Sequence, residues 1–235
     1  MSITRKRVRK VLNRKIFQLN NIIADIDGLL TDMETRYYRV SIFGSARLQP
    51  ETELYKEVYQ LAYALAMRGV DVVTGGGPGL MDAANKGAKE GGEKSRSIGL
   101  AIDLPFEAAA NAHLDVKRQH KRFSSRLDEF MRISHAVIVT PGGIGTLLEL
   151  FYTWQLIQVG HIKPRPILLM GGKGMWRELM EWIHQWPLDM ELMSQKDVDS
   201  IKICDNIHDA VATLEPFIQD FQEKSTQAAD HEELT

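Results

Sequence analysis

Two glycine-rich turns carry the most chemistry in this chain, Thr74-Gly75-Gly76-Gly77-Pro78-Gly79-Leu80-Met81 and Thr140-Pro141-Gly142-Gly143-Ile144-Gly145-Thr146-Leu147-Leu148-Glu149. Each follows a short apolar, β-branched-rich run and opens a helix-like segment. A strand that stops in glycines and restarts as a helix leaves unpaired backbone N–H groups pointing outward, with the positive end of the helix dipole behind them, so an anion fits there. Gly75, Gly76, Gly77 and Gly79 in the first turn, and Gly142, Gly143, Ile144, Gly145 and Thr146 in the second, are therefore candidate phosphate-binding positions. The spacing after Gly75 fails the dinucleotide pattern G-x-G-x-x-G, no acidic residue ends the next strand to grip a ribose, and neither turn contains Gly-Lys-Ser/Thr. A nicotinamide dehydrogenase and a P-loop NTPase are disfavoured, and a single mononucleotide held between two loops fits better.

A carboxylate, Glu149, sits one turn into the second helix. With phosphate in the loop it would lie close to the ribose of a nucleoside monophosphate. There it could stabilise the positive charge that builds as an N-glycosidic bond breaks, or activate water. The competing reading is local, because Thr146-x-x-Glu149 is also the capping-box pattern. Arg126 lies in the helical segment that leads into the strand before the second turn. Its guanidinium could orient Glu149 or grip phosphate and ribose oxygens, or it could form a surface ion pair with Asp128 or Glu129. Gly44 and Ser45 end the first predicted strand, where the hydroxyl either bonds a ligand or shapes a helix-entry turn. Met81 and Asn85 stand at i and i+4 on the helix after the first turn, so a ligand touching one can touch the other, although methionine is more often core.

The elements that must position these side chains alternate regularly. Hydrophobic periodicity predicts strands over 39–43, 70–74, 97–102, 136–140, 167–170 and 200–203, and helices over 51–68, 80–90, 118–133, 146–159, 175–186 and 206–221. Residues 103–116 read as irregular. The pattern predicts an α/β fold, a Rossmann-like doubly wound parallel sheet in a single domain over residues 36–222, with glycine turns at the carboxyl ends of its strands. Residues 1–35 read as a basic amphipathic helix and linker, and residues 223–235 as a disordered tail.

Composition narrows the class. At 235 residues, 44% hydrophobic and 26% charged, the chain suits one large domain. No apolar run is long enough to span a membrane and the start lacks a signal-peptide core, so a soluble cytoplasmic protein is expected. Cys204 is the sole cysteine, and the seven histidines lack metal-binding spacing, so neither an internal disulfide nor a metal is expected. Arg5, Lys6, Arg7, Arg9, Lys10, Arg14 and Lys15 could attract nucleic acid. However, Val8, Val11, Leu12, Ile16, Leu19, Ile22 and Ile23 recur at helical spacing, which favours a docking helix over a nucleic-acid arm.

Over about residues 40–217 the sequence resembles the Lonely Guy family, whose members are often labelled lysine decarboxylases or Rossmann-fold nucleotide-binding proteins. The family motif PGGxGTxxE is matched in full by Pro141 to Glu149, and the first glycine turn, Gly44-Ser45-Ala46-Arg47 and Asp82-Ala83-Ala84-Asn85-Lys86-Gly87 are similar to the bacterial branch. The resemblance implies a phosphoribohydrolase that cleaves AMP or a cytokinin riboside monophosphate to free base and ribose 5-phosphate, without cofactor, as a homodimer or larger homo-oligomer. It implies Arg126 and Glu149 as the catalytic pair. Two departures bear on base preference: the arginine segment reads Arg126-Leu127-Asp128-Glu129-Phe130 without the family's lysine and methionine, and Leu148 replaces the first glutamate of a Glu-Glu pair. A decarboxylase would need pyridoxal phosphate on a lysine, and neither turn offers one. The alternative is a non-catalytic carrier of a nucleotide or of the molybdenum cofactor, which needs the phosphate loops but not both charged residues.

Overall fold

The computed structural model describes residues 9–16, 19, 23, 37–102, 110–172 and 174–232. The chain divides into two units, Met1–Arg36 and Tyr37–Thr235. In the first, residues 9–16, 19 and 23 are helical, and Val11, Leu12, Ile16, Leu19 and Ile23 are exposed. The remainder of the expected N-terminal helix, Arg5, Lys6 and Arg7 included, lies outside the described residues.

In the second unit the elements run β1 (Arg39–Phe43), α1 (Glu53–Ala66), β2 (Asp71–Thr74), α2 (Leu80–Glu90), β3 (Ser97–Ile102), β4 (Val116–His120), α3 (Phe123–Ile133), β5 (Ala136–Val139), α4 (Ile144–Gln158), β6 (Ile167–Met170), α5 (Met175–Ile183), α6 (Gln195–Val198), β7 (Ile201–Cys204) and α7 (Ile207–Glu232). All seven strands form one sheet in the order β4-β3-β2-β1-β5-β6-β7, and every neighbouring pair is parallel. β1, β2, β5 and β6 are buried along their whole length, which requires cover on both faces. Strand alternation supplies it: Val40, Ile42 and Val72 pack with Leu61, Leu65 and Leu214 on one side. Phe43, Val73 and Val137 pack with Phe130, Leu150 and Trp176 on the other.

From β1 the chain steps outward through β2 and β3 to β4, then returns to lay β5 on the opposite side of β1. That reversal makes a crevice at the carboxyl ends of β1 and β5, where open α/β sheets take their ligands. The doubly wound parallel sheet is thus the fold the alternation predicts.

Four local expectations change. The helix predicted over 118–133 begins only at Phe123, because Val116–His120 is an edge strand whose residues pair from Ile98↔Val116 to Ile102↔His120. Its polar sequence, alternately half-buried and exposed, suits an edge that faces water and carries no apolar signal. The last helix continues to Glu232, through part of the predicted tail. In that continuation Lys224 pairs with Asp220, and the Ser225 and Thr226 hydroxyls donate to carbonyls four residues back. The helix predicted to Trp186 gives way at Ile183 to a π-helical turn, His184–Leu188, containing Pro187. Gln195–Val198 is a short helix that periodicity did not reveal.

The α1–α2 contact is the tightest helix packing beside the site. A Cβ on Gly87 would fall 2.1 Å from the Tyr59 carbonyl oxygen, and that neighbour is backbone. Gly87→Ala, despite its better helix propensity, should therefore lower stability by about 1–3 kcal/mol or more, measured as a reduced urea midpoint at unchanged m.

Candidate active site

Three loops leave the carboxyl edge side by side: Gly44-Ser45 after β1, Gly75 to Gly79 after β2, and Thr140 to Gly143 after β5. The first of them ties the other two together. Ser45 donates its backbone N–H to the Pro141 carbonyl (3.0 Å) and accepts the Leu80 N–H at its own carbonyl (2.9 Å). The approach leaves no room for side chains. A Cβ on Gly44 would lie 2.3 Å from Thr140 Oγ1, and one on Gly79, at φ +71°, would lie 2.4 Å from the Ser45 oxygen. The Ser45 hydroxyl oxygen accepts from Arg47 N (3.1 Å), the local turn-forming bond.

Within the first loop, Gly76 sits at φ +72° and its N–H donates to Thr74 Oγ1 (2.9 Å). Met81 lies over this loop: Cβ atoms on Gly75 and Gly77 would each fall 2.8 Å from its thioether end. Asn85 is fully buried behind the loop. Its Oδ1 accepts from Thr74 Oγ1 (2.6 Å) and Asn111 Nδ2 (2.9 Å), and its Nδ2 donates to Ser97 Oγ (2.9 Å). Asn85 therefore shapes the loop from inside and does not face the crevice.

The second loop enters α4 at Ile144 with Gly143 as N-cap and no side-chain cap. Thr146 is inside the first turn, packed against Gly142, whose Cβ would fall 2.1 Å from its hydroxyl. A threonine there cannot be the N-cap of a capping box, so Glu149 is not needed to close one. Gly143 and Gly145 face open space, and Ile144 is 88% exposed.

Arg126 and Glu149 meet where the two glycine loops converge. Arg126 Nη2 lies 3.4 Å from Glu149 Oε1, with the side chains 12% and 15% exposed. The same guanidinium nitrogen stands 2.5 Å from where a Gly75 Cβ would be, and the guanidinium lies over the Phe130 ring at 5.6 Å. The alternative ion pairs are taken up elsewhere. Asp128 accepts the Tyr152 hydroxyl (2.5 Å), and Glu129 faces Arg118, His120 and Arg132. Arg126 Nε is buried with no hydrogen-bond partner among the described residues. Burial pushes the Glu149 carboxyl up to about 7, an effect that Arg126 partly opposes. A carboxylate poised near neutrality beside a fixed cation, between two phosphate-type loops, is equipped to take a proton or to face developing positive charge.

Sequence reasoning did not single out Asn111, Thr74 or Ser97, which hold the first loop in shape. The only signal was an asparagine inside a stretch without periodicity, between Ala110 and Ala112.

The family model described as "Possible lysine decarboxylase" matches residues 81–214. The probable cytokinin riboside 5'-monophosphate phosphoribohydrolase of Oryza sativa subsp. japonica is 30% identical over 155 residues, 65% of this chain and 72% of that protein. The pyrimidine/purine nucleotide 5'-monophosphate nucleosidase of Escherichia coli K12 is 32% identical over 117 residues, which span 46% of this chain and only 26% of that protein. Among solved structures, the molybdenum cofactor binding protein of Rippkaea orientalis superposes with a TM-score of 0.58 at 19% identity, covering 77% of this chain and 98% of that one. At that identity the likeness concerns the fold alone. With the PGGxGTxxE motif placed at the crevice and the family model covering residues 81–214, the chain belongs to the Lonely Guy family, whose model carries the description "Possible lysine decarboxylase".

Proposed function

We propose that the protein hydrolyses the N-glycosidic bond of nucleoside 5'-monophosphates, AMP or a cytokinin riboside monophosphate, releasing free base and ribose 5-phosphate. The observation that carries this reading is the Arg126–Glu149 pair held against Gly75, where the loops meet. The phosphate would take the outward N–H groups of the two loops and the N-terminus of α4. Glu149 would then face C1′ of the ribose. As the C1′–N bond breaks, positive charge spreads over the ring, and the ionised carboxylate opposes it or accepts a proton from the attacking water. Water oxygen bonds to C1′, the bonding pair leaves with the base, and the proton lost by water ends on the base nitrogen. Arg126 keeps Glu149 ionisable and, through its unpaired Nε, offers a donor to a substrate oxygen.

The decarboxylase description implies pyridoxal phosphate on a lysine Schiff base. The charged groups that meet at the loops are an arginine and a glutamate, and neighbouring lysines are engaged elsewhere: Lys86 lies over Tyr59 and Lys89 pairs with Asp115. These residues do not fit that cofactor, and no step passes through it. The carrier alternative explains the loops but leaves the buried pair without a task.

A homodimer or larger assembly fits α4. Its exposed face presents Ile144, Leu148 and Phe151, followed by Val159, and the only charged residue in the helix is Glu149, turned inward. Among the described residues no helix is long and apolar enough to cross a membrane, and the unpaired, buried Cys204 suits a cytoplasmic setting.

Three results would test this. Purified protein given AMP should release adenine and ribose 5-phosphate, and Glu149→Gln should lower kcat by about 10²–10⁴-fold with little change in AMP affinity. Unchanged turnover in that variant would refute the role of Glu149. Because the carboxyl must be ionised, wild-type kcat/KM should fall as pH drops below about 7, and the residual rate of Glu149→Gln should lack that acid limb. Sedimentation should show an assembly that Leu148→Asp reduces to monomers; a wild-type monomer would end the assembly reading.

A further inference from the structure

The first glycine loop can serve phosphate only if its peptide planes are turned the right way, and one residue outside both family motifs fixes them, one plane through its backbone and the other through its side chain. Asn111 donates its backbone N–H to the Gly76 carbonyl (2.9 Å) and its side-chain Nδ2 to the Gly77 carbonyl (3.0 Å). In a trans peptide the C=O and N–H point in opposite directions. Holding the Gly76 carbonyl toward Asn111 therefore turns the Gly77 N–H of the same peptide to the other side of the loop. The Gly77 carbonyl belongs to a peptide whose nitrogen is Pro78, which has no N–H to offer an anion. Left to rotate toward the crevice, that carbonyl would present its negative end to phosphate.

The clamp itself is oriented. Asn111 Oδ1 accepts from His113 N (3.1 Å), which leaves Nδ2 facing the loop. The same Nδ2 reaches Asn85 Oδ1 (2.9 Å), which also accepts from Thr74 Oγ1 (2.6 Å). Beyond it, Leu114 fills the space over Gly76 and Gly99, where added Cβ atoms would fall 3.3 and 2.5 Å from its Cδ1. His113 Nε2 stands 3.8 Å from Asp82 Oδ1 on α2. Asn111 and Leu114 are thus fastened against the loop and His113 faces α2.

We propose that Asn111 is a positioning residue for the phosphate group of the substrate, acting through the Gly76 and Gly77 carbonyls of the first loop. The proposal rests on the phosphoribohydrolase reading for its substrate, but its test does not require turnover. Binding of AMP and of ribose 5-phosphate is measured by calorimetry in the Glu149→Gln protein, with and without Asn111→Ala or Asn111→Asp, and kcat and KM for AMP are measured in the same variants with Glu149 intact.

Asn111→Ala keeps the backbone N–H on the Gly76 carbonyl but frees the Gly77 carbonyl to turn toward the crevice, and should weaken both ligands about tenfold. Asn111→Asp keeps the shape but turns an acceptor toward the Gly77 carbonyl and Asn85 Oδ1, so it should weaken them further. In both, KM should rise while kcat changes less than about threefold, the split expected when ground state and transition state lose the same contact. Equal affinity in all proteins, or a fall in kcat without a change in KM, would overturn the proposal. So would loss of the cooperative melting transition in both variants, since a purely structural role would then account for Asn111. Wild-type protein that binds AMP but releases no adenine would refute the hydrolase reading while leaving the binding contrast intact.

Discussion

The site depends on a backbone bridge more than on any side chain. Ser45, at the end of the central strand β1, joins the loops on either side through one donor and one acceptor, Ser45 N to the Pro141 carbonyl and Leu80 N to the Ser45 carbonyl. Such bonds form only if the three chain segments approach to backbone distance. That is why Gly44 and Gly79 stand where they do, with Cβ positions 2.3 and 2.4 Å from neighbouring oxygens. The sheet order makes the bridge possible, because β2 and β5 flank β1 and their chains leave in opposite directions. A different strand order would separate the loops, and neither glycine motif alone brings a cation and a carboxylate together.

Given that scaffold, the electrostatics follow from burial. Glu149 is one helical turn beyond the N-terminal turn of α4, too far in to cap it and deep enough that desolvation raises its carboxyl to about 7. At 3.4 Å the Arg126 contact offsets only part of that cost, and Arg126 is itself held by Gly75 below and the Phe130 ring beside it. Such an arrangement does not favour stability. A carboxyl whose folded-state value lies above its ordinary one weakens the native state as pH rises from the unfolded value through about 7. The protein retains it where two glycine loops converge, and a strongly perturbed carboxyl in such a crevice is characteristic of chemistry rather than of packing.

How much of this could be read from the sequence varies with the physics of each element. Strands β1, β3 and β6 and helix α2 match their predicted bounds, because short buried strands and an alanine-rich helix after a glycine turn carry strong local signals. β4 was missed because its residues, Val116-Lys117-Arg118-Gln119-His120, encode an edge that faces water, and edge pairing is decided by the partner strand. Arg126 and Glu149 could be named from spacing and family resemblance, but their meeting across residues 126 and 149 against Gly75 is a tertiary fact. For Thr146-x-x-Glu149 the sequence leaves capping and catalysis open, and the helix start at Ile144 removes the capping reading. The Asn85 and Asn111 amides were the least legible, since an asparagine's role depends on which buried groups lack partners, and periodicity says nothing of that.

The same fold at 19% identity houses a molybdenum cofactor binding protein, so the doubly wound sheet alone does not decide between holding a phosphorylated ligand and cleaving it. The distinction lies in what stands beside the loops. A carrier gains affinity from N–H groups and helix termini, and a buried carboxylate near the ligand's phosphate would oppose that affinity. In this chain the carboxylate is kept, is paired with an arginine and lies beyond the second glycine loop, which under the proposed hydrolysis is where the ribose would lie. Its cost to ligand binding is recovered only if positive charge appears on the sugar during the reaction, which is the condition that glycosidic cleavage creates.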